Sequence, residues 1–128
     1  MHTPAVRFRV DFGRDRAVGP GKIALLEHIA RGGSLSQAAR ELGMSYRRAW
    51  QLLDSLNGCF VEPVARSVRG GRGGGGATLT ALGRQLIRAY REFDAEMQTR
   101  AARRFAPLVR QGRSLTRARR PAPRLQDR

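Results

Sequence analysis

The feature that most constrains this chain is a pair of short helical segments between Ser34 and Asn57, each opened by a serine and separated by a glycine. Ser34-Leu35-Ser36-Gln37 fits a capping box, in which the serine hydroxyl satisfies a free N–H of the first turn and the glutamine reaches back. Leu35, Ala38, Ala39 and Leu42 then share one side of a helix that stops at Gly43. After Met44, Ser45 can cap a second helix running to about Asn57. At about 100° per residue, Tyr46, Ala49, Leu52, Leu53 and Leu56 fall on one arc of it, which belongs to the core. Arg47, Arg48, Gln51, Asp54 and Ser55 fall opposite, with Trp50 at the border, where it is read as packing rather than base stacking. Short helix, glycine turn and a two-faced second helix make a helix-turn-helix. Ala39 and Gly43 are small where its helices must approach closely. Two arginines and a glutamine can donate to base edges or phosphates. A helical hairpin with a merely solvated basic face is the plain alternative.

The flanking segments extend this motif. Val6 to Phe12 alternates apolar and polar residues and reads as a half-buried strand; Gly13 to Gly19 reads as a polar loop. Pro20 suits the first turn of a helix in which Ile23, Leu26, Ile29 and Ala30 recur at helical spacing, stopped by Gly32-Gly33. Beyond Asn57-Gly58, Phe60 to Arg66 reads as a strand, Gly70 to Gly76 as a glycine-rich tip, and Ala77-Thr78-Leu79 as the returning strand. A hairpin in that position is a wing. Arg69 and Arg72 favour contact with DNA, with a plain flexible loop as the alternative. A phosphate-cradling P-loop is excluded, since no lysine follows the glycines. Thr80 can cap a last helix limited by Pro107, with Leu82, Leu86, Tyr90, Phe93 and Met97 in one narrow stripe. Such a stripe resembles a coiled-coil seam and can serve both core packing and pairing with a second copy. Arg88/Glu92 and Glu96/Arg100 stand at the spacing of outer ion pairs.

Charge enters where the motif needs a partner. The chain carries a formal +15, and Lys22 is its only lysine. An excess of this size attracts polyanions, and residues 110–128 add seven arginines against Asp127 alone,. The rest of the chain is basic in its own right. A lone cysteine, Cys59, and two distant histidines leave no metal cluster, and His28 reads as a partly buried structural residue. No catalytic constellation and no cofactor are expected. No apolar run approaches the roughly 20 residues of a membrane span, and the charged start lacks a signal-peptide core, so a cytoplasmic protein is expected. The expected fold is mainly α with a small β-hairpin wing: a winged helix-turn-helix over residues 1–109 with a long C-terminal dimerisation helix, then a disordered Arg-rich tail over 110–128.

Gly32-Gly33-Ser34-Leu35-Ser36-Gln37-Ala38-Ala39, Gly43-Met44-Ser45-Tyr46 with Ala49-Trp50, and Gly70 to Thr80 followed by Gly83 resemble the N-terminal domain of ModE-type molybdate-dependent transcriptional regulators. The resemblance covers roughly residues 6 to 105, and its most specific part is the glycine-rich wing running into Leu79-Thr80. The first half alone also looks like LysR-type domains, which usually lack that wing and Tyr46…Trp50. The resemblance implies a dimer joined through the last helix, by Leu86, Tyr90, Phe93 and Met97, on a two-fold related operator in double-stranded DNA. By position it implies DNA contacts from Ser45, Tyr46, Arg47, Arg48 and Gln51 and from Arg69, Arg72 and Thr78. Ser34 and Gln37 complete the candidate set. Full-length members add C-terminal domains that bind molybdate or tungstate. Molybdate sensing is therefore not expected of residues 1–128 themselves, while genes of molybdenum metabolism are the implied target. A protein-interaction module or a non-specific nucleic-acid binder is the alternative.

Overall fold

The computed structural model describes residues 3–68 and 76–112, with the side chain of residue 68 excepted. Its elements in order are β1 (Val10–Asp11), β2 (Ala17–Val18), α1 (Pro20–Gly32), α2 (Leu35–Glu41), α3 (Tyr46–Asn57), β3 (Ala65–Val68), β4 (Gly76–Leu79), α4 (Ala81–Arg104) and α5 (Ala106–Val109). Residues Arg7–Asp94 form one unit, a winged helix-turn-helix; the segment up to Val6 and the chain from Ala95 form another.

In the first of these, the core is built from one face of each helix. Ile23, Leu25, Leu26 and Ile29 of α1 are buried together with Leu35, Ala38 and Ala39 of α2, Ala49, Leu53 and Leu56 of α3, and Leu86 and Tyr90 of α4. Fully burying side chains such as Leu26 or Leu56 is worth about 1.5–3 kcal/mol each, which is why the helical spacing of these residues determines the packing. Ala30, expected on the inner face of α1, is exposed, and Leu25 takes the inward place. Helix α1 stops because Gly33 adopts φ 67°, a left-handed conformation, and donates its N–H to Ile29 O at 2.7 Å,.

The alternation at the start of the chain holds as a burial pattern, but its ladder is short. Only Val10↔Val18 and Asp11↔Ala17 pair. The segment from Gly13 to Gly19, read as a loop, turns back through Asp15 (φ 58°) and supplies two paired residues before Pro20 opens α1. Further back, the inward-facing Phe8 packs on α4 rather than on a strand. Its ring stacks on Tyr90 at 4.7 Å and meets Phe93 edge-on at 5.3 Å, while Tyr90 Oη donates to Phe8 O at 2.8 Å.

The wing is a hairpin whose register runs from Ala65↔Leu79 to Val68↔Gly76. Its first strand lies later than the expected 60–66, because Pro63 has no N–H to give a ladder and Asn57 captures the chain at that point. Asn57 Oδ1 accepts from Val64 N–H at 2.8 Å, and its Nδ2 donates to Ala65 O at 3.2 Å. The other edge of β4 is also held: Ser34 bridges Gly76, and Ala77 N–H donates to Gly33 O at 3.0 Å. The wing base is thereby fixed to the α1–α2 junction. The expected Arg88/Glu92 and Glu96/Arg100 pairs do not form; ion pairing on α4 centres on Arg91, which reaches Glu27 and Asp94.

In the other unit, Val6 and Gln98 exchange two hydrogen bonds, of 2.9 and 2.8 Å. Ala101 is buried there, and α4 gives way to α5 just before Pro107.

Candidate nucleic-acid interface

Two serine caps set the direction of the helices that carry the site. Ser34 Oγ accepts from Gln37 N–H at 3.2 Å, and Ser45 Oγ from Arg48 N–H at 3.0 Å. The reciprocal half of the capping box is absent: Gln37 turns its amide to Glu41 Oε2 at 3.1 Å instead. A carboxylate competes better than a backbone group for that donor. Glu41 also meets His28 Nδ1 at 2.8 Å, and the His28 and Gln37 bonds hold its carboxyl below the ordinary range. His28 is half-buried, as expected. Between the helices Gly43 takes φ 70° with open space around its α-carbon, so backbone conformation rather than crowding requires glycine there.

Helix α3 turns Ala49, Leu53 and Leu56 inward and leaves Arg47, Arg48, Gln51 and Asp54 exposed. Among the described residues nothing engages the side chains of Arg47, Arg48 or Gln51. The donors are therefore free for an outside acceptor. Ser55, expected on the same arc, faces Lys22 instead: Lys22 Nζ donates to Ser55 Oγ at 2.9 Å and to Ala17 O at 2.7 Å. The chain's one lysine is thus committed to joining β2, α1 and α3.

Two readings of α3 are corrected. Tyr46, assigned to the apolar arc, is 51% exposed, and Trp50, read as packing, is 52% exposed. Tyr46 begins the helix, before the turns that meet the core. Trp50 lies about 100° round from Ala49, too far for its indole to reach the line of Ala49, Leu53 and Leu56.

On the wing, Thr78 is exposed and pairs across the hairpin with Arg66, also exposed. Sequence reasoning missed Arg66; the alternation of buried Ala65 with its successor was the available signal. The nearest acid, Glu62, stands 3.9 Å away in an open pair that binds Arg66 weakly,. Arg69, Arg72 and the glycines from 70 to 75 lie outside the described residues, as does the Arg-rich segment from 113 onward. Ser34 and Gln37 are present at the start of α2, their polar groups partly engaged as above. Of the expected pairing stripe, Leu86 and Tyr90 are buried in the core of their own unit, Phe93 is 42% exposed and Met97 is half-buried.

No protein-family model matches the chain. Its sequence is 39% identical over 99 residues to the molybdenum transport protein ModE of Azotobacter vinelandii, covering 74% of this chain and 37% of that protein. It is 42% identical over 82 residues to the DNA-binding transcriptional dual regulator ModE of Escherichia coli K12, covering 64% and 31%. To the molybdenum-pterin-binding protein MopB of Rhodobacter capsulatus it is 45% identical over 78 residues, covering 61% and 29%. The chain spans about a third of the length of the curated relatives it matches.

Proposed function

The chain carries a ModE-type winged-helix domain, and from that premise we propose that it is a transcriptional regulator binding double-stranded DNA as a homodimer. The observation that carries the reading is the free donor face of α3, where Arg47, Arg48 and Gln51 stand exposed beside one another with no partner among the described residues. A guanidinium can donate two hydrogen bonds to a guanine edge, worth ~1–3 kcal/mol of discrimination. In a two-fold dimer, two such helices enter successive major grooves about 34 Å apart. Arg66 and Thr78 on the wing meet backbone phosphates, which position the protein without reading sequence.

The second copy joins through α4, where Phe93 keeps apolar surface accessible; Met97, in the other unit, is half-buried. Two of the relatives named above carry molybdenum in their names, which supports genes of molybdenum metabolism as the target class. The Arg-rich segment 110–128 adds phosphate affinity without specificity. Its removal flattens the dependence of affinity on salt, and an unchanged slope rules that role out. No described helix is long and apolar enough to cross a membrane.

The test is selection of binding sites from random duplex DNA at physiological salt, with and without molybdate. Enrichment of an inverted repeat is the expected result. Salt-sensitive binding with no enriched sequence would overturn the regulator reading in favour of a non-specific binder.

A further inference from the structure

We infer that Trp50 is a sequence-reading residue of this interface, its indole seated against the major-groove edge of thymine. The inference rests on the DNA-binding reading of α3 and names a specificity determinant within it.

Trp50 exposes half of the largest side chain in the helix, and Tyr46, one turn earlier on the same flank, exposes as much. Among the described residues, no aromatic or cation contact involves either ring. On a helical projection Trp50 falls between Tyr46 and Asp54, with Arg47 and Gln51 next round the exposed arc. Whatever covers the indole therefore also covers Arg47. An apolar protein surface there would bury a guanidinium that lacks a partner, which is costly. A duplex supplies acceptors for Arg47 in the same groove that takes the indole.

Among base edges in the major groove the choice is narrow. Guanine, cytosine and adenine present only acceptors and amino donors, whereas thymine presents the 5-methyl group beside the acceptor O4. Indole has a broad apolar face and one N–H donor, with no acceptor. The two patterns correspond, methyl to ring and O4 to N–H. Exclusion of water from a methyl group is worth about fourfold in affinity. Covering the exposed half of an indole is worth about tenfold.

The test uses the full chain and the duplex recovered by site selection, with each thymine of a half-site replaced in turn by deoxyuridine, which removes the methyl alone. Wild-type protein is expected to lose about fourfold at one or two positions. W50A should bind the thymine duplex about tenfold more weakly and show no penalty for deoxyuridine there, while W50F keeps the penalty. Circular dichroism of W50A checks that the helices persist, as the exposure of the residue requires. Trp50 is also the only tryptophan in the chain, so its emission reports this contact alone and should shift to shorter wavelength on saturation with duplex. A deoxyuridine profile identical in wild type and W50A overturns the inference, as does unchanged emission at saturation, even where DNA binding is sound. Failure to recover any duplex instead overturns the regulator reading, and this inference with it.

Discussion

Gly83 lies in the first turn of α4, where that helix passes the chain entering the wing. Thr80 arranges the approach: its N–H donates to Val64 O at 3.0 Å, and its hydroxyl donates to Pro63 O at 2.7 Å while accepting from Gly83 N–H at 3.1 Å. A β-carbon at Gly83 would stand 2.1 Å from Val64 O, a backbone atom that cannot swing aside. Gly83→Ala must therefore push α4 off the wing base and is expected to cost about 3 kcal/mol. A clearly lower urea midpoint is the expected outcome, and a wild-type midpoint would show that the helix start has room to shift. Glu27 invites a different test. Arg91 grips its carboxylate with bonds of 2.6 and 2.8 Å, and the hydrogen bond from Arg91 is the main reason its pKa lies below the ordinary 4.5. A lowered carboxyl stabilises the fold above its ordinary pKa and loses that contribution as pH falls through the lowered one. Glu27→Gln should thus be less stable than wild type by about 1 kcal/mol at neutral pH, with the gap closing in acid below pH 4.5. Urea unfolding across that range measures it; a gap constant with pH would mean that charge contributes nothing.

At the scale of elements, the proposed site assigns reading to a helix and positioning to a strand pair. Arg66 and Thr78 face outward from β3 and β4, opposite each other on a hairpin held at both edges. Arg66→Ala should weaken binding alike for operator and random duplex and lower the salt slope by about one. Competition binding at several salt concentrations separates this from loss of specificity; a changed base preference would place Arg66 among the reading residues instead. How much of this was legible in sequence depended on whether the cause is local. Helix starts at Ser34 and Ser45 and the glycine turns at Gly33 and Gly43 were visible, because caps and left-handed residues act within a few positions. The limits of β1 and β3 were not, because a ladder depends on distant contacts: β1 pairs only with Ala17-Val18, and β3 opens against β4 only where Asn57 has captured Val64 and Ala65. The exposure of Tyr46 and Trp50 was missed for a related reason. Periodicity gives a residue's angle on the helix but not how far along it the core extends.

For the whole molecule, the proposed dimer requires a surface that brings two α3 helices to one operator. Within Arg7–Asp94, a groove of about 270 Å³ is lined by Val10, Phe12, Val18, Leu86, Ala89, Tyr90 and Phe93. Phe12 and Phe93 at its rim remain 43% and 42% exposed. Apolar surface of this kind is costly to leave in water on a chain of 128 residues, whose small core leaves little stability in reserve. A second copy placing its own α4 against the groove would cover it, and a two-fold contact uses the same patch on both partners. Phe93→Glu sets a charge against the same charge across that axis and should convert a dimer into a monomer in analytical ultracentrifugation. The variant should keep its helices, since Phe93 is 42% exposed and among the described residues its one ring contact is with Phe8. Because a monomer grips one half-site, operator affinity should fall far more than binding to an isolated half-site. If Phe93→Glu sediments as wild type does, pairing lies elsewhere on the molecule. If it becomes monomeric yet binds the inverted repeat unchanged, the reading helices act singly and the two-fold operator is not this protein's target.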